Sequence, residues 1–124
     1  MKRIALVAAL VGAFILVISG AVTPAHAGTA NSRAQAVRKA KEYLSVEAFS
    51  FKGLVGQLKY EGFSTGDARY GASHAGANWF KEAAKKAKEY LKIEAFSRRG
   101  LIAQLEYEGF TPAQAASGAR AVGL

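Results

Sequence analysis

The sequence predicts an all-α protein: an N-terminal signal helix followed by two tandem three-helix repeats of helix-turn-helix-like shape. Three observations carry this expectation. A 47-residue pattern recurs without a gap. Apolar residues inside each copy fall at three- and four-residue spacings. Capping and stop residues sit at matching positions in both copies. Ala40-Lys41-Glu42-Tyr43-Leu44 returns as Ala87-Lys88-Glu89-Tyr90-Leu91, and Glu47-Ala48-Phe49-Ser50 as Glu94-Ala95-Phe96-Ser97. Tyr60-Glu61-Gly62-Phe63 returns as Tyr107-Glu108-Gly109-Phe110. About half of all positions are identical from residue 31 onward, which only a duplication produces. The expected units are 31–77 and 78–124, abutting without a linker.

The first helix of each unit carries one apolar stripe, Ala36, Val37, Ala40, Tyr43 and Leu44, repeated as Ala83, Ala84, Ala87, Tyr90 and Leu91. Its start is expected near Ser32, with Gln35 placed to complete a capping box. The second helix begins at Ser50, whose hydroxyl can accept an orphan backbone N–H. Phe49 has staple spacing to Leu54, and Leu54, Val55 and Leu58 point inward. Gly62 stops that helix because glycine enters the left-handed conformation without steric cost, and Phe63 folds back on Leu58 in a Schellman ending. Phe96, Leu101, Leu105, Gly109 and Phe110 repeat the arrangement. The third helix opens at Ser64 with Asp67 at its third position, or at Thr111-Pro112 with Gln114. Ala68, Ala72, Ala115 and Ala119 let it approach its neighbours, and Gly76 and Gly123 end it. Units of this size need support from each other or from a partner. Trp79 and Phe80, replacing Ser32 and Arg33 of the first copy, read as an inter-unit wedge ahead of a partner anchor.

Lys2 and Arg3, the apolar run over residues 4–18, Pro24 and Ala25-His26-Ala27 form the three parts of a secretory signal, residues 1–27, with cleavage after Ala27. The alternative is an uncleaved anchor, since the stretch from Ile4 to Val22 approaches the roughly 20 residues that span a bilayer. The 124 residues hold 17 Lys and Arg, nine Asp and Glu, and no cysteine. Disulfides, thiolate metal sites and cysteine nucleophiles are therefore excluded, as is a lipid anchor on cysteine. Loss of residues 1–27 removes two basic residues and leaves a charge of +6. Such a chain favours polyanions or an acidic protein face, and export argues against nucleic acid. Membrane contact is expected only through the N-terminal segment.

No convergent reactive groups point to an enzyme, a cofactor or a metal. Ser73, His74 and Asp67 lie on a surface helix with no oxyanion hole, and the second copy has Arg120, Ala121 and Gln114 in their places. Glu61 and Glu108 stand at helix C-termini, against the macrodipole. Lys41 and Lys88 are the expected counter-charges, with a bound partner as the alternative. The copies diverge where Phe51 and Lys52 become Arg98 and Arg99, and where Tyr70 becomes Ser117. Aromatic and arginine residues are favoured interface anchors, so Phe51, Tyr70, Trp79, Arg98 and Arg99 are the candidate partner-binding residues. An alternative partner is an anionic cell-envelope polymer held by Lys85, Lys86, Lys88, Arg98 and Arg99.

The string Phe49-Ser50, Gly53-Leu54, Gln57-Leu58, Tyr60-Glu61-Gly62-Phe63, with Tyr43-Leu44 before it and Ala68 after it, resembles the repeat of the Ltp-like host cell surface-exposed lipoproteins. Tyr90-Leu91 through Phe110 and Ala115 matches as well. The resemblance implies a tandem helix-turn-helix-like protein outside a Gram-positive cell. Prophage-encoded members of that family act in superinfection exclusion, blocking injection of phage DNA by engaging the injection machinery. This chain departs in lacking the lipidated cysteine and in its positive charge.

Overall fold

The computed structural model describes residues 30–124; the expected signal segment lies outside them. The described chain forms six helices: α1 (Ala30–Val46), α2 (Phe51–Tyr60), α3 (Thr65–Ser73), α4 (Trp79–Ile93), α5 (Arg98–Tyr107) and α6 (Pro112–Ala121). The expected all-α fold is thus observed, three helices to each copy. Among the described residues no helix is long and apolar enough to cross a membrane.

The ends of these helices follow from local chemistry. The Gly53 N–H donates to Ser50 Oγ at 2.8 Å, and the Gly100 N–H to Ser97 Oγ at 2.9 Å. At the other end of α2, the Gly62 N–H reaches the Lys59 carbonyl and the Phe63 N–H the Leu58 carbonyl. This is the Schellman pair of bonds, with Gly62 at φ 105°. Gly109 and Phe110 repeat it on α5. Thr111 and Gln114 make the reciprocal capping box on α6.

One expected cap is corrected. α1 already includes Ala30, so Ser32 lies inside the helix, buried, and donates to Asp67 Oδ2 at 2.6 Å. The hydroxyl ties α1 to α3 because a buried carboxylate is a stronger acceptor than anything at the helix start. Asp67 in turn accepts from Ser32 rather than serving a Ser-His-Asp arrangement.

Each unit closes its own core. Ala40, Tyr43, Leu54, Leu58, Ala68 and Ala72 form the first cluster, with Phe49, Phe63 and Trp79 packed against it. Ala83, Ala87, Tyr90, Leu101, Leu105, Phe110, Ala115 and Ala119 form the second. The first and third helices of a unit meet closely, through glycine as well as through the alanines. A Cβ on Gly71 would stand 2.7 Å from the Ala36 backbone carbon and oxygen, and one on Gly118 would stand 2.9 Å from the Ala83 oxygen.

These approaches make sharp predictions. Gly71→Ala forces α1 and α3 apart and lowers stability by about 1–3 kcal/mol, as overpacking does. Gly56→Ala, with nothing within 4 Å of the added methyl, raises stability by roughly 0.5–1 kcal/mol by removing chain entropy inside a helix. Urea unfolding midpoints of the two variants should move in opposite directions.

Candidate functional site

The repeated Tyr, Gln and Glu of each copy form a polar chain, half-buried in the first copy and deeper in the second. The Tyr43 hydroxyl donates to Glu61 Oε2 and the Tyr90 hydroxyl to Glu108 Oε2. Gln57 Nε2 donates to Tyr43 Oη at 3.2 Å, and Gln104 Nε2 to Tyr90 Oη at 3.0 Å. Tyrosine, not Lys41 or Lys88, is therefore the partner of the glutamates at the helix C-termini; both lysines sit on exposed positions. Residues 41 and 88 lie two before the tyrosines, hence on other sides of α1 and α4. Burial, and then the hydrogen bond to Glu61, push the Tyr43 hydroxyl up from 10.0 to about 12. Burial and Glu108 raise Tyr90 in the same way.

The two copies meet through a polar junction. Lys86, 1% exposed, lies 3.1 Å from Glu47 Oε2 and 3.1 Å from Glu89 Oε1. Its Nζ also lies 5.9 Å from the centre of the Phe49 ring. The Phe49 N–H donates to Glu82 Oε1 at 3.2 Å, and Ser50 Oγ donates to the Glu108 carbonyl at 2.6 Å. Burial raises the Glu47 carboxyl above its usual range, against the opposing pull of Lys86. The expected role of Lys86 on an anionic polymer is thereby corrected: its charge is spent inside the molecule.

Of the aromatic candidates, Phe51 and Trp79 meet across the boundary between the copies, whereas Tyr70 lies on the first copy beside Arg33. Trp79 meets Phe51 edge to face at 5.6 Å and joins the first core, while Phe80 turns to solvent, 49% exposed. One residue along a helix rotates a side chain by about 100°, so the two cannot share the wedge. Arg69 places its guanidinium 5.6 Å from the Phe51 ring centre, and Arg33 lies 5.0 Å from that of Tyr70. Tyr70 stacks on His74 at 3.9 Å. Arg33, Tyr70, Ala30, Ala34 and Val37 line a shallow cleft of about 410 Å³. On the second copy Arg98 donates to the Leu124 carbonyl at 2.7 Å, and Arg99 is exposed.

A charged face lies on α4, of which the sequence marks only Lys85 and Lys88. Lys81, Lys85, Lys88 and Lys92 follow spacings of four, three and four residues, and all are exposed. That spacing puts them on one side of the helix. Ala83, Ala87 and Tyr90 face the core, and Glu82, Lys86 and Glu89 face the junction.

A duplicated three-helix module, its cores inward and an aromatic and basic surface outward, defines a class of helical tandem-repeat proteins. The chain belongs to the host cell surface-exposed lipoprotein family, whose model matches residues 31–74 and 78–116. It is accordingly a protein of the extracellular cell surface. It is similar to the solved structure of Ltp, a superinfection exclusion protein from the Streptococcus thermophilus temperate phage TP-J34. The identity is 29% and the TM-score 0.67, over 71% of this chain and 92% of that one. No curated protein matches the chain.

The tyrosines make stability sensitive to alkali. A hydroxyl whose folded pKa is raised contributes stability that is intact below pH 10 and lost as pH climbs through the folded value, about 12 for Tyr43. The wild-type unfolding midpoint should fall across that window, and Tyr43→Phe should show a smaller fall than the wild type.

Proposed function

We propose that this protein is a non-enzymatic, protein-binding module of the cell surface that excludes superinfecting phage by blocking entry of phage DNA. The observation that carries the reading is the match to a superinfection exclusion protein across nearly the whole of that protein's chain. The partner is a protein of the phage injection machinery. The contact residues are Phe51, Tyr70 and Trp79 on the first copy and Arg98 and Arg99 on the second. Three of these already hold one another or a guanidinium in place, so the free surface is pre-ordered and loses little side-chain entropy on binding.

A second reading draws support from the lysine side of α4. Lys81, Lys85, Lys88 and Lys92 would bind an anionic cell-envelope polymer through charge alone. Exposed charge pairs are screened by salt, so retention on purified wall would vanish at about 0.5 M salt.

Cells expressing the protein should adsorb phage normally yet receive no phage DNA, measured by following labelled DNA into the cell. Tyr70→Ala should restore infection without lowering the amount of protein at the surface. Normal DNA entry in expressing cells would remove the first reading. Exclusion that persists unchanged in Tyr70→Ala would move the contact elsewhere.

A further inference from the structure

The boundary between the copies gathers more negative charge than positive. Glu47 of the first copy and Glu89 of α4 each lie 3.1 Å from one ammonium, that of Lys86, which keeps the two carboxylates close together. Glu82, the third carboxylate, is balanced by Lys85 at 3.3 Å. Two ammoniums thus face three carboxylates, and Glu108 of α5 adds a further negative influence on Glu47. Like charges held this close raise the affinity of one of them for a proton. Water relieves little of the repulsion, since the Lys86 side chain is 2% exposed and that of Glu47 15%. Lys39 and Glu42, the matching pair of the first copy, stand nearer the surface, with the Glu42 side chain 59% exposed. The crowding therefore belongs to the boundary and not to the repeated pattern.

Among the described residues, little else joins the copies. The two cores are separate clusters. Helix packs on helix at length only inside a copy, α1 and α2 on α3 in the first, α4 and α5 on α6 in the second. Across the boundary run the contact of Phe51 with Trp79, the bond from Ser50 to the Glu108 carbonyl, and bonds to the carboxylates. The Ala48 N–H donates to Glu89 Oε2 at 3.4 Å, and the Phe49 N–H to Glu82 Oε1 at 3.2 Å. The crowded carboxylates are thus the acceptors on which the 47–50 loop sits.

We propose that closing the boundary draws one proton onto Glu47, so that the two copies hold together more firmly in mild acid than at neutral pH. A neutral Glu47 keeps an oxygen that accepts from Lys86. Lys85 and Lys86 then face Glu82 and Glu89 one to one. Burial pushes the Glu47 carboxyl above its ordinary 4.5, Lys86 pulls it back, and Glu89 and Glu108 push it up again. A carboxyl raised in the closed state, and relieved when the loop lifts away, binds its proton more tightly when closed. Its contribution to closure is complete below 4.5 and is lost as pH climbs through the raised value. The effect belongs to the boundary alone and holds whatever the protein binds.

Hydrogen exchange of the Ala48 and Phe49 amides, which donate into the boundary, reads its opening in the intact protein. Corrected for the intrinsic exchange rate, their protection should rise severalfold between about pH 7.5 and about pH 5. Glu47→Gln keeps an acceptor for Lys86 but has no proton to take up, so its protection should be high at neutral pH already and stay level. In the wild type the Glu47 carboxyl carbon, followed by NMR, should titrate above 4.5. Wild-type protection that is flat or falls on acidification overturns the proposal. So does a Glu47→Gln variant that responds like the wild type, or a Glu47 titration at or below the ordinary value.

Discussion

Lys86 decides how the two copies sit together. An ammonium group removed from water is tolerated only when carboxylates and further hydrogen bonds surround it. Here Glu47 comes from the first copy and Glu89 from the helix that bears the lysine. Neighbouring acceptors on α4 and α5 take up the backbone and the hydroxyl of the 47–50 loop. These bonds specify direction as well as proximity, which apolar contact alone does not. The Phe51 and Trp79 rings meet across the same boundary, so the aromatic surface depends on the charge cluster that fixes the boundary.

The surface available for action is defined by what the cores leave over. α4 divides into a side of alanines and Tyr90 turned inward, a side turned to the first copy, and a line of lysines turned outward. The first copy, by contrast, stacks Tyr70 on His74 with Arg33 over its ring, and sets Arg69 over Phe51. One module was therefore copied with its interior kept and its exterior rewritten.

Much of this was legible in the sequence because it is local. Serine and threonine caps, glycine stops and apolar spacing act within a few residues, and most fell at the expected places; α3 already ends at Ser73, three residues ahead of Gly76, and the other departure is at α1. There Ser32 answers to Asp67, 35 positions away, which no local rule detects. The Tyr43 to Glu61 bond was in reach, since the same two residue types recur with the same separation at Tyr90 and Glu108. Gly71 and Gly118 were in reach too, as glycines kept between alanines on the inner side of the third helix. The burial of Lys86 was not. Lys39 is the same residue in the same local pattern, and only the neighbouring copy's loop makes their surroundings differ. The candidate site was half visible: residue type marked Phe51, Tyr70 and Trp79, while the way Arg33 and Arg69 hold two of them needed coordinates.

The ionic make-up of the boundary between the copies also bears on temperature. Hydration of charged groups carries a strongly negative entropy, so withdrawing them from water becomes less costly on warming, while the gain from burying hydrocarbon levels off. A seam built on Lys86, Glu47, Glu82 and Glu89 keeps its grip in heat better than a leucine seam of equal extent would. That choice of chemistry favours keeping the two copies aligned as the temperature rises.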